Sequence, residues 1–155
     1  MIRRPPRSTL SSSSAASDVY KRQHMKLFEW LSKYDNYYFI LGRLLLGLYF
    51  FLPGLLKIFD YSGTQSLMAL KGIPLYELAL PLTIFIQILG GILLILGQNL
   101  RITALSLFFL TILINIFIHN FWTLEGDPSQ AHEIQNFIKN LAIAAGLLVL
   151  ATKEK

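Results

Sequence analysis

Residues 75–122 read LYELALPLTIFIQILGGILLILGQNLRITALSLFFLTILINIFIHNFW, and they give the clearest indication of the fold. Its formally charged side chains are Glu77 and Arg101, and Gly97-Gln98-Asn99 separates two long apolar runs. A helix rises 1.5 Å per residue, so about 20 apolar residues cross the hydrocarbon core of a bilayer. Each run is long enough, and the stretch therefore predicts two consecutive membrane-spanning helices.

Apolar segments on both sides of this pair complete the pattern. The four predicted spans cover about residues 37–59, 75–96, 102–122 and 134–151. They show neither the period-two alternation of barrel strands nor a heptad charge pattern. The chain is 54% hydrophobic with a mean hydropathy of +0.50, which is too apolar for an ordinary soluble domain. We predict an all-α fold: an integral membrane four-helix bundle over residues 37–151.

The first 23 residues, MIRRPPRSTLSSSSAASDVYKRQ, differ in character from the rest. They are rich in Ser and Arg and lack the apolar core of about 7 to 15 residues that a secretory signal needs. Their amino-acid sequence closely resembles the translation of a sequencing adapter. We interpret residues 1–23 as a disordered, non-native leader and Met25 as the native start. Residues 24–36 then predict an interfacial amphipathic lead-in, and residues 152–155 a cytoplasmic tail.

The basic charge is unevenly distributed. Residues 1–23 hold five basic residues and one acidic residue, a net of +4 out of the +5 of the whole chain. The bundle is therefore nearly neutral, which gives no support to a nucleic-acid partner. With both termini cytoplasmic, five basic residues lie inside and two lie in the outer loops, so positive-inside counting favours this orientation. The inner set is Lys26, Lys33, Arg101, Lys153 and Lys155; the outer set is Lys57 and Lys71.

Polar and small residues recur at helical spacing on one face of each span. Because bare polar groups are costly in hydrocarbon, these faces should turn inward and meet. The alternating helix directions gather ionisable groups near the outer leaflet, with Gln87 and Asn115 deeper. We predict a ligand-binding polar cluster composed of Arg43, Lys57, Glu77, Gln87, Asn115, His119, Asn120, Trp122, Asn136, Lys139 and Asn140.

Simpler interpretations apply to several of these residues. Arg43 and Lys57 have stems long enough to reach the interface, and Gln87 could serve one interhelical hydrogen bond. The surroundings of His119 favour an interfacial hydrogen bond over metal or haem ligation, and a metal site with His132 and Glu133 would require the loop to fold back. We predict no metal site, no haem and no catalytic residue: the chain has no Cys, and no nucleophile–base pair or phosphate-binding glycine loop occurs.

Several motifs resemble those of the DoxX family of small four-helix membrane proteins. The first helix carries LGR at 41–43 and PGLLK at 53–57, and the second carries GIP at 72–74 and GGILL at 90–94. The end of the chain carries HNFW at 119–122 and NFIKNLA at 136–142. The resemblance covers nearly all of residues 37–151.

The resemblance implies a multi-pass protein of the bacterial inner membrane. It also implies an accessory subunit of a respiratory or thiol-redox complex, and some members of the family join soluble redox enzymes. The polar cluster of such a subunit would bind either quinone or a partner protein. Many relatives place a Glu where this chain has Gln87, and a neutral amide cannot relay a proton as a carboxyl group does. Two alternatives stay open: a small-solute transporter or channel, whose pathway would need a homo-oligomer, and a structural anchor without chemistry.

Overall fold

The computed structural model describes Tyr20, Met25 and residues 28–152. In this part of the chain the structure is helical and contains no strand, which confirms the predicted all-α class. The predicted leader at 1–23, apart from Tyr20, and residues 153–155 of the predicted tail lie outside the described residues. The long helices are α1 (Asp35–Phe59), α2 (Tyr61–Leu70), α3 (Tyr76–Leu96), α4 (Leu100–Phe117) and α5 (Gln130–Ala151).

Four of the described segments are long and apolar enough to cross a membrane. They are α1, α3, α5 and the segment Leu100–Thr123, which joins α4 to a 3-10 turn at Phe121–Thr123. The short helix α2 lies between the first two spans. The chain forms two compact units, one up to Leu41 and one from Gly42 onward. In the first unit Trp30 packs edge-on against Tyr34, with ring centroids 5.5 Å apart.

A tight turn joins α3 to α4. Gly97 has a φ of 75° and donates its N–H to the carbonyl groups of Leu93 and Leu94, which ends α3. Asn99, with a φ of 48°, directly precedes α4. Gly and Asn are the residues that adopt this left-handed conformation most readily, so the sequence Gly97-Gln98-Asn99 reverses the chain within three residues.

The third span is interrupted before its end. Residues 102–122 were expected to form one continuous helix, but α4 ends at Phe117 and the chain continues through His119 and Asn120 into the 3-10 turn. The side chain of Asn120 accepts a hydrogen bond from Lys71, and His119 contacts Glu133. The partners Lys71 and Glu133 lie on other segments of the chain. The non-helical backbone after Phe117 lets the side chains of His119 and Asn120 reach them.

Glycines set the closest helix contacts. A Cβ placed on Gly91 would lie 2.7 Å from the carbonyl oxygen of Gly47, so α1 and α3 approach almost backbone to backbone. A Cβ on Gly90 would lie 2.9 Å from Leu107, which brings α3 and α4 together. By contrast, a Cβ placed on Gly146 of α5 would have no neighbour within 4 Å. An apolar cluster formed by Met68, Leu80 and Ile84 attaches α2 to α3.

Candidate functional site

A cavity of about 690 Å³ lies inside the unit that begins at Gly42, and all five helices contribute to its walls. Its volume falls within the roughly 300–1,000 Å³ typical of small-molecule sites. Apolar side chains make up most of the lining, and the polar ones form two groups at different depths. The apolar lining includes Phe50, Pro53, Leu56, Leu67, Met68, Ile73, Ala79, Leu110, Leu113, Ile114, Phe117 and Ile118.

We call the first polar group the mouth of the cavity: Lys57, Asp60, Thr64, His119, Asn136 and Lys139. It lies where α1 and α4 end and α5 begins, and Asp60 and Lys139 are exposed. Lys57 donates from Nζ to the carbonyl oxygen of Pro53 at 3.3 Å, and Lys139 donates to Asn136 Oδ1 at 2.9 Å. Each ammonium group has three protons, so both lysines can also donate to a ligand.

His119, in the loop that follows α4, joins the mouth to the first turn of α5. Its Nδ1 lies 2.6 Å from Glu133 Oε2, and the two side chains are 18% and 20% exposed. Glu133 does not line the cavity, so this contact holds the imidazole ring of His119 from the side that faces away from the cavity. The ring thereby acquires a fixed direction at the edge of the cavity.

The second polar group, which we call the buried end, consists of Tyr49, Thr83, Gln87, Thr111 and Asn140. Gln87, Thr111 and Asn140 are 4%, 2% and 4% exposed. The Tyr49 hydroxyl donates to Asn140 Oδ1 at 2.7 Å, which links α1 to α5. Gln87 Oε1 is buried and has no hydrogen-bond partner. Buried polar groups almost always have a partner, so this amide is the most unusual group in the cavity.

The structure brings six of the predicted cluster residues into the cavity lining: Lys57, Gln87, His119, Asn136, Lys139 and Asn140. Two others lie close to it in the chain without lining it. Asn115 is buried and donates from Nδ2 to the carbonyl oxygen of Phe137 at 3.0 Å. Asn120 accepts from Lys71 Nζ at 2.9 Å.

The remaining three predicted residues do not line the cavity. The Arg43 guanidinium packs over Gly97, near the opposite end of the bundle, and its buried Nε has no partner. Glu77 is exposed in the first turn of α3. Trp122 is half exposed and packs edge-on against Phe137, with ring centroids 6.0 Å apart.

The cavity lining also includes residues that were not predicted as site residues, among them Tyr49, Asp60 and Thr64. Tyr49 lies one helical turn before Pro53 and two turns before Lys57, so it shares their face of α1. This spacing was the available signal, but a tyrosine in an apolar helix reads equally well as a packing residue. Asp60 and Thr64 enter the cavity because α2 folds over it, a tertiary contact that local spacing does not reveal.

Metal-ligating side chains do not cluster in the part of the chain that the structure describes. In residues 28–152 no three His, Asp or Glu side chains come close enough to hold an ion. Glu133, in the first turn of α5, does contact His119, whereas His132 is exposed. The pair therefore serves the cavity mouth as a hydrogen-bonded unit.

Comparison with known proteins identifies the family. The DoxX family profile matches residues 39–120, which run from α1 to the end of the third span. The chain is 31% identical over 112 residues to inner membrane protein YphA of Escherichia coli K12, covering 72% of this chain and 79% of that protein. It is 33% identical over 121 residues to inner membrane protein YqjF of the same organism, covering 78% and 87%. No solved structure matches it significantly. The chain therefore belongs to the DoxX family and is a multi-pass protein of the bacterial inner membrane.

Proposed function

We propose that this protein is an accessory subunit of a quinone-linked respiratory or thiol-redox complex, and that its cavity holds the quinone headgroup. The observation that carries the proposal is the cavity itself, in which apolar walls lead to a cationic mouth. A quinone ring is flat and apolar and carries two polar oxygens. The apolar walls of the cavity suit the ring, and its polar side chains can bind the oxygens. The bilayer delivers such ligands, because their tails dissolve in it.

The charges at the mouth support this ligand. Lys57 and Lys139 provide two positive charges and Asp60 one negative charge, so the mouth carries a positive excess. Quinone oxygens become more negative as electrons arrive, and ammonium donors stabilise such charge strongly in a site that excludes water. With both termini cytoplasmic, as positive-inside counting favours, the mouth would face the outer side of the membrane.

The chain has no cysteine, so thiol chemistry in such a complex would come from a partner enzyme. The role that we assign to this subunit is to bind the quinone, orient its ring and exclude water. Electrons would pass between the quinone and the cofactor of the partner. This division of tasks agrees with a small polypeptide whose polar groups converge on one cavity.

Quinone binding by the full chain in lipid nanodiscs tests the proposal. We expect decylubiquinone to bind about tenfold more weakly to Lys57→Met, because a charged hydrogen bond is lost from a partly buried site. Lys139→Met should weaken binding less, since this side chain is exposed. Lys33→Met, which removes an exposed lysine outside the bundle unit, is the matched control and should bind as the unaltered protein does.

The same measurement separates the alternatives. Equal binding by both cavity variants and the unaltered protein would dismiss the quinone site. A pure anchor predicts no specific binding by any variant. A transporter predicts solute flux in liposomes, and flux that depends on Lys57 without quinone binding would replace the proposed function.

A further inference from the structure

We propose that the mouth of the cavity holds the phosphate group of an anionic phospholipid between Lys57 and Lys139, and that an acyl chain of this lipid lies against the apolar walls. The lipid is a second ligand of the same cavity, so the proposal goes beyond the proposed function. Both ligands use the two lysines, and each therefore excludes the other. The charges of the mouth, the opening of the cavity and its apolar lining all favour such a lipid.

Lys57 and Lys139 lack a carboxylate partner. Among the residues that the structure describes, no Asp or Glu oxygen lies within 4.0 Å of either ammonium group. Asp60, the acidic residue of the mouth, is exposed and pairs with neither lysine. Both lysines belong to helices that are suited to cross the membrane, where an unpaired charge is costly. An anion supplied from outside the chain relieves this cost.

The two ammonium groups are drawn toward the same depth. Lys57 lies in the last turn of α1, and its Nζ reaches back one turn to the carbonyl oxygen of Pro53. Lys139 lies within α5, and its Nζ reaches back toward the start of that helix, to Asn136 Oδ1. Because α1 ends and α5 begins at the mouth, the first group is drawn inward from the mouth and the second is drawn toward it. Both keep free protons, so they can donate to one phosphate.

The cavity is open to the surroundings of the bundle beside α1 and α5. Leu56 of α1 lines the cavity and is nevertheless 64% exposed, and Lys139 of α5 is also exposed. Two turns deeper in α1, the Tyr49 hydroxyl donates to Asn140 Oδ1 and joins the two helices. The opening thus lies within the membrane-spanning helices, where a lipid reaches it directly. A phospholipid can place its phosphate at the lysines and its acyl chain against the apolar lining.

The formal charge of the mouth favours an anionic lipid over a zwitterionic one. Lys57 and Lys139 outnumber Asp60 by one positive charge. A phosphodiester carries one negative charge, so phosphatidylglycerol brings these groups to neutrality. Phosphatidylcholine adds a positive ammonium group to the same phosphate and leaves the excess in place. Basic pockets between membrane helices bind anionic headgroups for this reason.

Native mass spectrometry of the full chain, released from detergent micelles, tests the inference. The three ligands are dioleoylphosphatidylglycerol, dioleoylphosphatidylcholine and glycerophosphoglycerol, which is the first headgroup without its acyl chains. We expect phosphatidylglycerol to bind about tenfold more tightly than either other ligand. Lys57→Met should weaken its binding about tenfold. Lys139→Met should weaken it about threefold, because this side chain is exposed.

Three further variants control the result. Lys33→Met removes an exposed lysine outside the bundle unit and should bind as the unaltered protein does. Lys57→Arg retains the positive charge and should keep most of the affinity. Asp60→Asn removes the negative charge of the mouth and should tighten phosphatidylglycerol binding about twofold. A folding defect does not produce such a gain, so this variant keeps the test informative if Lys57→Met does not fold. Circular dichroism of each variant reports whether the helices have formed.

The outcomes separate this inference from the proposed function. Equal affinity for the two lipids in the unaltered protein overturns the inference, and so does a preference for phosphatidylglycerol that neither Lys57→Met nor Lys139→Met reduces. Binding of glycerophosphoglycerol as tightly as the lipid also overturns it, since the site would then take a free phosphodiester. Quinone binding in phosphatidylcholine nanodiscs is measured in parallel. Its absence beside a retained lipid preference refutes the proposed function alone, and its presence without that preference refutes this inference alone.

Discussion

Replacement of Gly91 by alanine tests the glycine contact that brings α1 and α3 together. The added Cβ would lie 2.7 Å from the carbonyl oxygen of Gly47 and 2.8 Å from both Cβ and the backbone N of Phe51. Ordinary contacts of a Cβ begin near 3.4 Å, so the helices must separate by about 0.7 Å. No rotamer change relieves the clash, because every contacting atom belongs to the backbone or is a Cβ.

The magnitude follows from a comparison with Gly146→Ala. A Cβ on Gly146 meets nothing within 4 Å, so this variant carries only the helix-propensity gain of alanine, up to about 1 kcal/mol. Gly91→Ala has the same gain and in addition the steric cost of overpacking, about 1–3 kcal/mol. The propensity terms cancel in the difference, and we expect Gly91→Ala to be about 1–3 kcal/mol less stable than Gly146→Ala.

Unfolding in mixed micelles, with increasing sodium dodecyl sulfate and circular dichroism as the readout, measures this difference. Gly47→Ala serves as a second test of the same contact, because its Cβ would lie 2.6 Å from Ile95 Cγ1 and 2.8 Å from the Gly91 carbonyl oxygen. Equal stabilities for the Gly91 and Gly146 variants would refute the close approach of α1 and α3.

Three further predictions concern the start of α5, the loop before it and the orientation of the chain. Glu133→Gln should destabilise the protein by about 1 kcal/mol in the same assay, because it weakens the 2.6 Å contact with His119; an unchanged midpoint would contradict this. Hydrogen bonds from the Ser129 side chain and backbone hold the pKa of Asp127 below its usual range. The charged form is thus favoured in the folded state, and its contribution to stability is lost as pH falls through the folded pKa. Ser129→Ala should raise that pKa, measured by NMR titration, and an unshifted titration would count against the contact. Thr152→Cys, in a chain without other cysteines, should react with an impermeant maleimide only once the cytoplasmic side is accessible. Labelling in intact spheroplasts would show that the C-terminal end faces the outside.

The spans and their inward faces could be predicted from the sequence, because hydrocarbon imposes helices and hides polar groups. Gly47, Phe50 and Gly54 recur at steps of three and four residues, which predicts a shared inward face of α1, and all three are buried. Helix ends were harder to predict. Leu75, which precedes α3, adopts a φ of 52°, a left-handed conformation that is rare for leucine. This residue lies in the connection between α2 and α3, which pack against each other, and local sequence does not reveal that packing.

The candidate site shows a similar limit, because periodicity gives the face of a helix but not the depth at which residues meet. Arg43 shares the face of Lys57 but precedes it by 14 residues, about 21 Å along the helix, and no compact cavity reaches both. Glu77 lies ten residues before Gln87, a rotation of about 80° away from its face. Trp122 follows the end of α4, so the face of that helix does not determine its direction.

The proposed function requires that a ring ligand occupies the cavity between the mouth and the buried end. Photo-crosslinking with an azido-quinone in native membranes, followed by mass spectrometry of the modified peptides, tests it most directly. We predict adducts on cavity residues from separate helices, such as Tyr49, Met68 and Ile114, and their loss when excess decylubiquinol is present. Adducts confined to exposed side chains on the outside of the bundle such as Phe85 and Phe109, with no protection by the competitor, would show that the cavity does not bind the ring.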